Sequence, residues 1–373
     1  MYERYLGHIP PDHYWRDEVL VKELDDVFAS SWLCVAFTDD LKNDRDFVTT
    51  EIGSHGIVVQ NFKGQPKAFR NVCSHRFSRI QTAACGNRPL TCPYHGWSYD
   101  VEGRPIGVPH NAQAFGLDDA DRSALALKPY ALETCGRFVF VRMAAEGPSL
   151  RQFLGRVYDD LEHFTEACPT EVGRTAFEWD VNWKVGLENA AEGYHTRMIH
   201  RESLDPTLDE DLLVERIEDH TVFYRSLSEK TQAWWERVAK IIKMQVSERF
   251  PQSVNWVIFP NIVILATHGA SFVFQTFEPL SPLRFRFKST YWMAQSQPGP
   301  ASDAVAQSLW DFSEQVMSED KGVCTYVQAG LADTASDRPP LLGVPEQRIA
   351  HFQQAYARSM GLAPYAGAVR AAS

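Results

Sequence analysis

Apolar and polar residues alternate along residues 45–62, RDFVTTEIGSHGIVVQNF, on either side of a glycine-containing turn, a pattern that predicts a β-hairpin. Strand-like runs recur at TCPYHGWSYDVEG (91–103) and CGRFVFVRM (135–143), so the first part of the chain reads as a small antiparallel β domain. Beyond Gly147 and Pro148 the period changes. SLRQFLGRVYDDLEHF repeats its apolar positions every three or four residues, as a helix does. We therefore expect an α+β protein of two domains, residues 1–155 and 156–373. The second opens with a strand over RTAFEWDVN and a helix from about Trp183, with Asp180 or Asn182 placed to cap it. Runs rich in Val, Ile, Phe, Tyr and Thr at 211–226, 253–266, 271–278 and 283–294 predict a multi-stranded antiparallel sheet. A helical stretch at 228–250 lies among them as a cover for a pocket. The last long helix runs from about Ala304 to Leu331, with Val305, Leu309, Phe312, Val316, Val323 and Val327 as its buried stripe.

Two clusters of ligand-type side chains interrupt this pattern. The first reads NVCSHR and, after sixteen residues between His75 and Cys92, CPYHGW. Each turn offers one Cys and one His, so Cys73, His75, Cys92 and His95 suit a Rieske-type [2Fe–2S] centre, in which one iron takes both Cys and the other both His. A structural zinc accepts the same four side chains, but zinc fingers pair Cys with Cys and His with His along the chain. Pro93, Gly96 and Trp97 fit a tight turn with an aromatic that keeps water away.

The second cluster is NWKVGLENAAEGYHTRMIH, residues 182–200. On a helix Glu192 and His195 share a face, whereas His195 and His200 sit about 140° apart, so the helix has to end or bulge for both to reach one metal. Asp320 falls on the apolar stripe of the last helix, where a carboxylate is costly unless paired or metal-bound. A buried ion pair is one solution. The other is a 2-His-1-carboxylate triad of His195, His200 and Asp320 on Fe(II). The neighbouring Glu319 is expected to point elsewhere.

Composition narrows the setting. The 373 residues carry a formal charge of −11, which disfavours nucleic acid as a partner. Lys63, Lys67, Arg70, Arg76, Arg79, Arg88 and Arg104 nevertheless crowd around the first cluster, opposed there by Asp100 and Glu102, a patch able to steer an acidic redox partner. No apolar run is long enough to span a bilayer, and MYERYLGHIPPDHYW has no secretory pattern, so the expected location is cytoplasmic and not membrane-bound. Cys34, Cys85, Cys135, Cys168 and Cys324 are expected as buried or half-buried small side chains.

Taken with SSWLCVAF, FPN at 259–261 and EDKGVCTYVQAGL, the two motifs closely resemble the catalytic α-subunits of the Rieske non-haem iron oxygenases over nearly the whole chain. The resemblance implies a Rieske β domain, a helix-grip (START-like) catalytic domain, and a head-to-tail ring, a homotrimer. It also implies Cys73, His75, Cys92 and His95 on the cluster and His195, His200 and Asp320 on the iron. Electrons would come from an NAD(P)H-dependent reductase, directly or through a ferredoxin, for O₂ activation on a small-molecule substrate. Most members have Asp where this chain has Glu192. The resemblance implies that Glu192 links His195 to His95 of the partner subunit. Members acting on quaternary ammonium compounds share Glu there, and the chain is shorter than many α-subunits that need a β partner; both point to a self-sufficient monooxygenase. Demethylation and ring cis-dihydroxylation stay open, as does a Rieske electron carrier without oxygenase activity. Phe223, Trp234, Trp235, Ile258, Phe259, Asn261, Phe272 and Phe274 are candidate pocket walls, with Gln275 as a polar contact.

Overall fold

The computed structural model describes residues 5–209, 212–334 and 340–363. The chain divides into two compact units, residues 28–153 and residues 1–27 together with 154–373. The division near residue 155 was expected, but the first 27 residues fold with the second unit rather than the first. Electrostatics supplies a reason. Glu23, near the end of helix α1 (Asp17–Glu23), is buried and accepts hydrogen bonds from Trp183 Nε1 at 2.9 Å and Tyr356 Oη at 2.6 Å. It also pairs with the fully buried ammonium of Lys184. A buried charge without its partner is strongly destabilising, so this segment is held by the second unit.

The first unit is a seven-stranded antiparallel sheet. Its strands are β1 (Leu33–Phe37), β2 (Asp46–Ile52), β3 (His55–Phe62), β4 (Gln65–Arg70), β5 (Cys85–Asn87), β8 (Pro129–Cys135) and β9 (Phe138–Arg142), in the order β1-β9-β8-β4-β3-β2-β5. The predicted hairpin is β2–β3, paired from Phe47↔Gln60 to Ile52↔His55. The run at 91–103 is mostly turn: only β6 (Ser98–Tyr99) is extended, paired with β7 (Pro105–Gly107). Phe47, Val58, Phe69, Ile80, Leu90, Trp97 and Leu127 form a core around Cys73 and Cys92. Cys85 is exposed, contrary to expectation, because it lies on the short edge strand β5.

The second unit holds α2 (Val157–Ala167), β10 (Thr170–Trp179), α3 (Trp183–Ala190), α4 (Thr196–Ile199), β11 (Leu213–Ile217), β12 (His220–Arg225), α5 (Glu229–Ile241), β13 (Ser253–Ile258), β14 (Ile262–Thr267), β15 (Ser271–Ser281), β16 (Arg284–Met293), α6 (Pro300–Ala332) and α7 (Gln347–Met360). Its antiparallel sheet runs β10-β16-β15-β14-β13-β12-β11. Alternation divides the sheet into two faces. One carries Phe277, Phe285 and Phe287 and is covered by α3, so closely that a Cβ on Gly186 would lie 2.6 Å from Phe285. The other carries Trp256, Phe272 and Trp292, packed on Phe164 of α2. Asn182 caps α3, accepting from Lys184 N. The buried stripe of α6 departs from the predicted one: Phe312 and Val327 are exposed, while Met317, Cys324 and Gln328 are buried. Gln328 is tolerated there because Asn182 N donates to its Oε1 and its Nε2 donates to the Tyr14 carbonyl.

Candidate metal centres

In the first unit, the two Cys–His turns are closed by matching backbone bonds. Phe77 N donates to Cys73 O and Gly96 N to Cys92 O, both at 3.0 Å. Gly96 takes φ 73°, a left-handed conformation that suits glycine. Cys73 and Cys92 are buried, His75 is half-buried and His95 is exposed. The imidazoles lie 4.6 Å apart between ring centres, and Trp97 stacks flat on His75 at 4.8 Å. His75 Nδ1 is buried with no hydrogen-bond partner, which is how a nitrogen reserved for a metal looks in the absence of the metal. Tyr99 Oη lies 3.0 Å from Cys73 Sγ and accepts from Ser74 N at 3.1 Å. The residues therefore fit a [2Fe–2S] cluster, which Cys73 and Cys92 would hold from the buried side and His75 and His95 from the more exposed side.

Of the basic residues nearby, Arg79 pairs with Glu51 and Arg104 with Asp100. Arg88 donates to Gln81 Oε1 and the Ile80 carbonyl. Arg76 lies over the exposed Tyr94 ring.

In the second unit, α3 ends at Ala190, before Glu192, and the four-residue α4 separates His195 from His200. The break expected between the two imidazoles thus begins earlier. Glu192 and His195 meet across a turn rather than along a helix face. Nε2 of His195 and Nε2 of His200 are 3.2 Å apart; Oδ1 of Asp320 lies 3.0 Å from the latter and 3.5 Å from the former. Adjacent positions of an octahedron with bonds of about 2.1 Å are roughly 3 Å apart, so all three atoms fit one face around a single metal.

Both remaining ring nitrogens are held by carboxylates. His195 Nδ1 pairs with Glu192 Oε1, and Glu192 Oε2 accepts from the backbone of Tyr194 and His195. His200 Nδ1 pairs with Glu319 Oε2 at 2.6 Å, which Ser203 Oγ also donates to at 2.6 Å. The expectation that Glu319 points elsewhere is therefore corrected. Adjacent residues on a helix diverge by about 100°, but His200 reaches around α6 far enough to meet both carboxylates. Each carboxylate fixes its imidazole with Nδ1–H donating and the Nε2 lone pair aimed at the metal position. Burial opposes protonation of His195, yet Asp320 and Glu192 prevail and raise it to about 9 without a metal; Asp320, despite its own burial, is lowered to about 2 by the two imidazoles and Asn189. Asn189, Ser203 and Glu319 were missed in the sequence. The usable signal was that each triad imidazole needs its own acceptor, and Glu192 lies beside His195 and not His200.

The candidate pocket residues separate by strand parity. Phe223 and Gln275 share the α3-covered face. Ile258, Phe272 and Phe274 alternate onto the opposite face, where Phe272 stacks on Trp292 at 4.7 Å. Trp235 stacks on His268, and Trp234 beside it is exposed, so α5 does not bring them to the metal cluster. Phe259 packs on Phe352, and Asn261 Nδ2 donates to the Phe277 carbonyl. A separate cavity of about 540 Å³ is lined by Tyr14, Glu188, Asn189, Glu192, Cys324 and Gln353, among others, and none of the predicted wall residues borders it.

Comparison with known proteins agrees with both centres. Residues 31–131 match the Rieske [2Fe-2S] domain, and residues 166–362, more than half of the chain, match the ring hydroxylating alpha subunit (catalytic domain). The chain belongs to the Rieske non-haem iron oxygenases. It has a Rieske [2Fe–2S] domain and a mononuclear triad consistent with Fe(II). Among relatives of this oxygenase, the glycine betaine monooxygenase oxygenase subunit of Chromohalobacter salexigens is 33% identical over 240 residues, 63% of this chain and 52% of that protein. The anthranilate 1,2-dioxygenase large subunit of Acinetobacter baylyi is 32% identical over 200 residues, 52% of this chain and 42% of that one. The chain thus spans about half the length of these relatives or less. In fold it is similar to the quaternary ammonium Rieske monooxygenase CntA in complex with L-carnitine, with TM-score 0.77, 20% identity and 96% of each chain covered. It is likewise similar to naphthalene 1,2-dioxygenase from Rhodococcus sp. bound to indole, with TM-score 0.74, 21% identity and 94% of each chain covered. Among the described residues no helix is long and apolar enough to cross a membrane.

Proposed function

We propose that this chain is the oxygenase component of a cytoplasmic Rieske monooxygenase, which uses O₂ and electrons from a separate NAD(P)H-dependent reductase, directly or through a ferredoxin, to hydroxylate or oxidatively demethylate a small organic substrate. The observation that carries this reading is the mutually adjacent set His195 Nε2, His200 Nε2 and Asp320 Oδ1 in a chain that also has a Rieske domain. An electron carrier has no use for a second iron. When bound, the cluster supplies single electrons and Fe(II) supplies open positions for oxygen and substrate. The chain's own residues hold those groups: Trp97 shields His75, while Glu192 and Glu319 keep both triad imidazoles in the ligating tautomer. In this reading the subunits form a homotrimeric ring, and Glu192 also accepts from His95 of the partner subunit.

Ring cis-dihydroxylation is the second reading, favoured by the anthranilate and benzene dioxygenase relatives. We prefer monooxygenation because the glycine betaine monooxygenase match is longer and Glu192 replaces the usual Asp. The test is substrate-dependent O₂ uptake by the reconstituted system across methylammonium, aryl-ether and aromatic compounds, with products analysed by mass. Gain of one oxygen atom, or release of formaldehyde, supports the proposal. A cis-diol supports the alternative. Metal analysis giving about two irons per chain instead of about three would remove the oxygenase reading altogether.

A further inference from the structure

Among the described residues the second unit buries two cations, Lys184 and Arg348, completely and treats them differently. Lys184 has its carboxylate, Glu23, and a carbonyl from His13 at 3.0 Å. Arg348, at the start of α7, is 1% exposed and, among the described residues, is hydrogen-bonded by no carboxylate. Its Nε donates to Thr221 Oγ1 at 3.0 Å and its Nη2 to Asn255 Oδ1 at 2.7 Å and Asn255 O at 3.2 Å. Nη1 is buried and has no partner. Burial weakens its hold on the proton, lowering its pKa to about 9, and Glu192 opposes this through space. Fully buried charges are normally paired, so this guanidinium is short of an anion.

The surroundings of Arg348 include open space on one side. Phe223, Asn255, Leu265, Val273 and Tyr291 form one cross-strand row on the sheet face that α3 covers. Phe223, Val273, Tyr291 and the nearby Gln275 keep 7–9% exposure in mid-sheet, whereas Val222, Ile264, Phe272 and Trp292 on the opposite face have at most 1%. Space therefore remains above this row. Arg348 sits at its Phe223 end, with its guanidinium carbon 4.5 Å from that ring's centre. Asn255, which holds Nη2, also donates to the Ala190 carbonyl at 3.5 Å, at the end of the helix leading into Glu192 and His195. Nη1 itself is sealed from that space, so a ligand reaches it only when a neighbouring side chain moves.

We propose that Arg348 anchors the carboxylate of the substrate, so that this oxygenase takes a small carboxylic acid whose apolar or aromatic body lies along Phe223, Leu265, Val273 and Tyr291. An anion at Nη1 completes the fork that Asn255 and Thr221 hold in place, and a planar guanidinium suits a carboxylate better than it suits a neutral group. The inference rests on the oxygenase reading for the role of this space, but its test is a binding measurement. Acetate, benzoate and phenylacetate, with their neutral amides as controls, are titrated calorimetrically into the iron-loaded protein and into Arg348→Met. The Met variant removes the buried charge and keeps an apolar side chain in its place. Thermal melting and the cluster spectrum verify that the variant is folded. At least one acid should bind the wild type ten-fold or more tightly than its amide, and the variant should lose that preference while binding the amide unchanged. Equal binding of acid and amide by the wild type, for every pair, overturns the proposal. So does an acid preference that survives in the variant. Carboxylate binding without oxygenation would instead count against the proposed reaction and leave the anchor standing.

Discussion

Glu319→Ala should weaken the mononuclear metal site about 10- to 30-fold without touching the cluster. Glu319 Oε2 is the partner of His200 Nδ1 at 2.6 Å and is positioned by Ser203 Oγ and, through Oε1, by Gln315 Nε2 at 2.9 Å. A hydrogen bond to a charged group contributes about 1.5–3 kcal/mol. The Glu319 side chain is 26% exposed, which places its contribution in the lower half of that range, about 1.5–2 kcal/mol, where each 1.4 kcal/mol is ten-fold. Loss of such outer carboxylates is typically felt as about 10–100-fold in metal affinity. The assay is competition for Fe(II), or Co(II) as surrogate, between the protein and a chelator under anaerobic conditions, with the visible spectrum of the cluster as internal control. Glu319→Gln keeps an acceptor oxygen and should fall between wild type and Ala. An Ala variant that holds metal within two-fold of wild type would refute the assignment, because His200 would then be oriented by packing alone.

His195→Ala should abolish substrate oxidation and lower iron by about one per chain, with the cluster's electron paramagnetic signal retained; turnover above background would sink the triad. Metal affinity of the mononuclear site should rise at least ten-fold per pH unit between pH 6 and 8, since the metal displaces a proton from His195, whose pKa is about 9 in the metal-free site, while Asp320 and Glu319 raise His200 as well; a pH-independent affinity would show that no proton is released. Tyr99→Phe removes the hydroxyl 3.0 Å from Cys73 Sγ and should lower the cluster's reduction potential by roughly 40–60 mV, the equivalent of about 1 kcal/mol for one electron; potentiometry showing no shift would mean that the contact carries no hydrogen bond. Glu188 is half-buried at the cavity wall, and burial of its carboxyl raises its pKa to about 7 despite hydrogen bonds from Tyr14 and Gln353. Between its unfolded value near 4.5 and about 7 the native state holds the extra proton, so stability falls as pH rises through that window, by about 3 kcal/mol in total. Glu188→Gln has no such proton to lose. Its melting temperature should therefore gain on wild type from pH 5 to pH 8, and a constant difference would contradict the burial effect.

The candidate ligands could be picked out because the Cys–His turns and the Glu192–His195 pair are local, and because a carboxylate on an apolar stripe, Asp320, calls for a distant partner. Cys73 with His75, Cys92 with His95, and Glu192 with His195 each lie within three residues, and the strands and helices that carry them follow simple periodicity. What escaped were contacts joining distant segments. Glu319 was assigned by helix phase alone, and phase does not report how far a side chain from another segment reaches. The candidate pocket residues took no account of which face of the sheet each occupies, and a strand sends neighbours to opposite faces: Gln275 lies on one side, Phe272 and Phe274 on the other. Arg348 carries no motif, and its state depends on Thr221 and Asn255, which lie about a hundred residues before it. On α6 the apolar pattern slid because Gln328 is satisfied by Asn182 and Tyr14, a compensation that a hydropathy pattern does not show.

Residues 28–153 behave as a cassette spliced into another domain. The cassette closes on itself near its own ends, where Ala144 N donates to Ala29 O at 2.8 Å and Trp32 Nε1 to Pro148 O at 2.9 Å. During synthesis the cluster unit has all its residues before the iron unit does, whereas Glu23 must wait for Lys184 and Tyr356, 161 and 333 residues downstream. Trimming the leading segment should consequently spare the red-brown cluster and cripple the iron unit, the reverse of what linear order along the chain suggests.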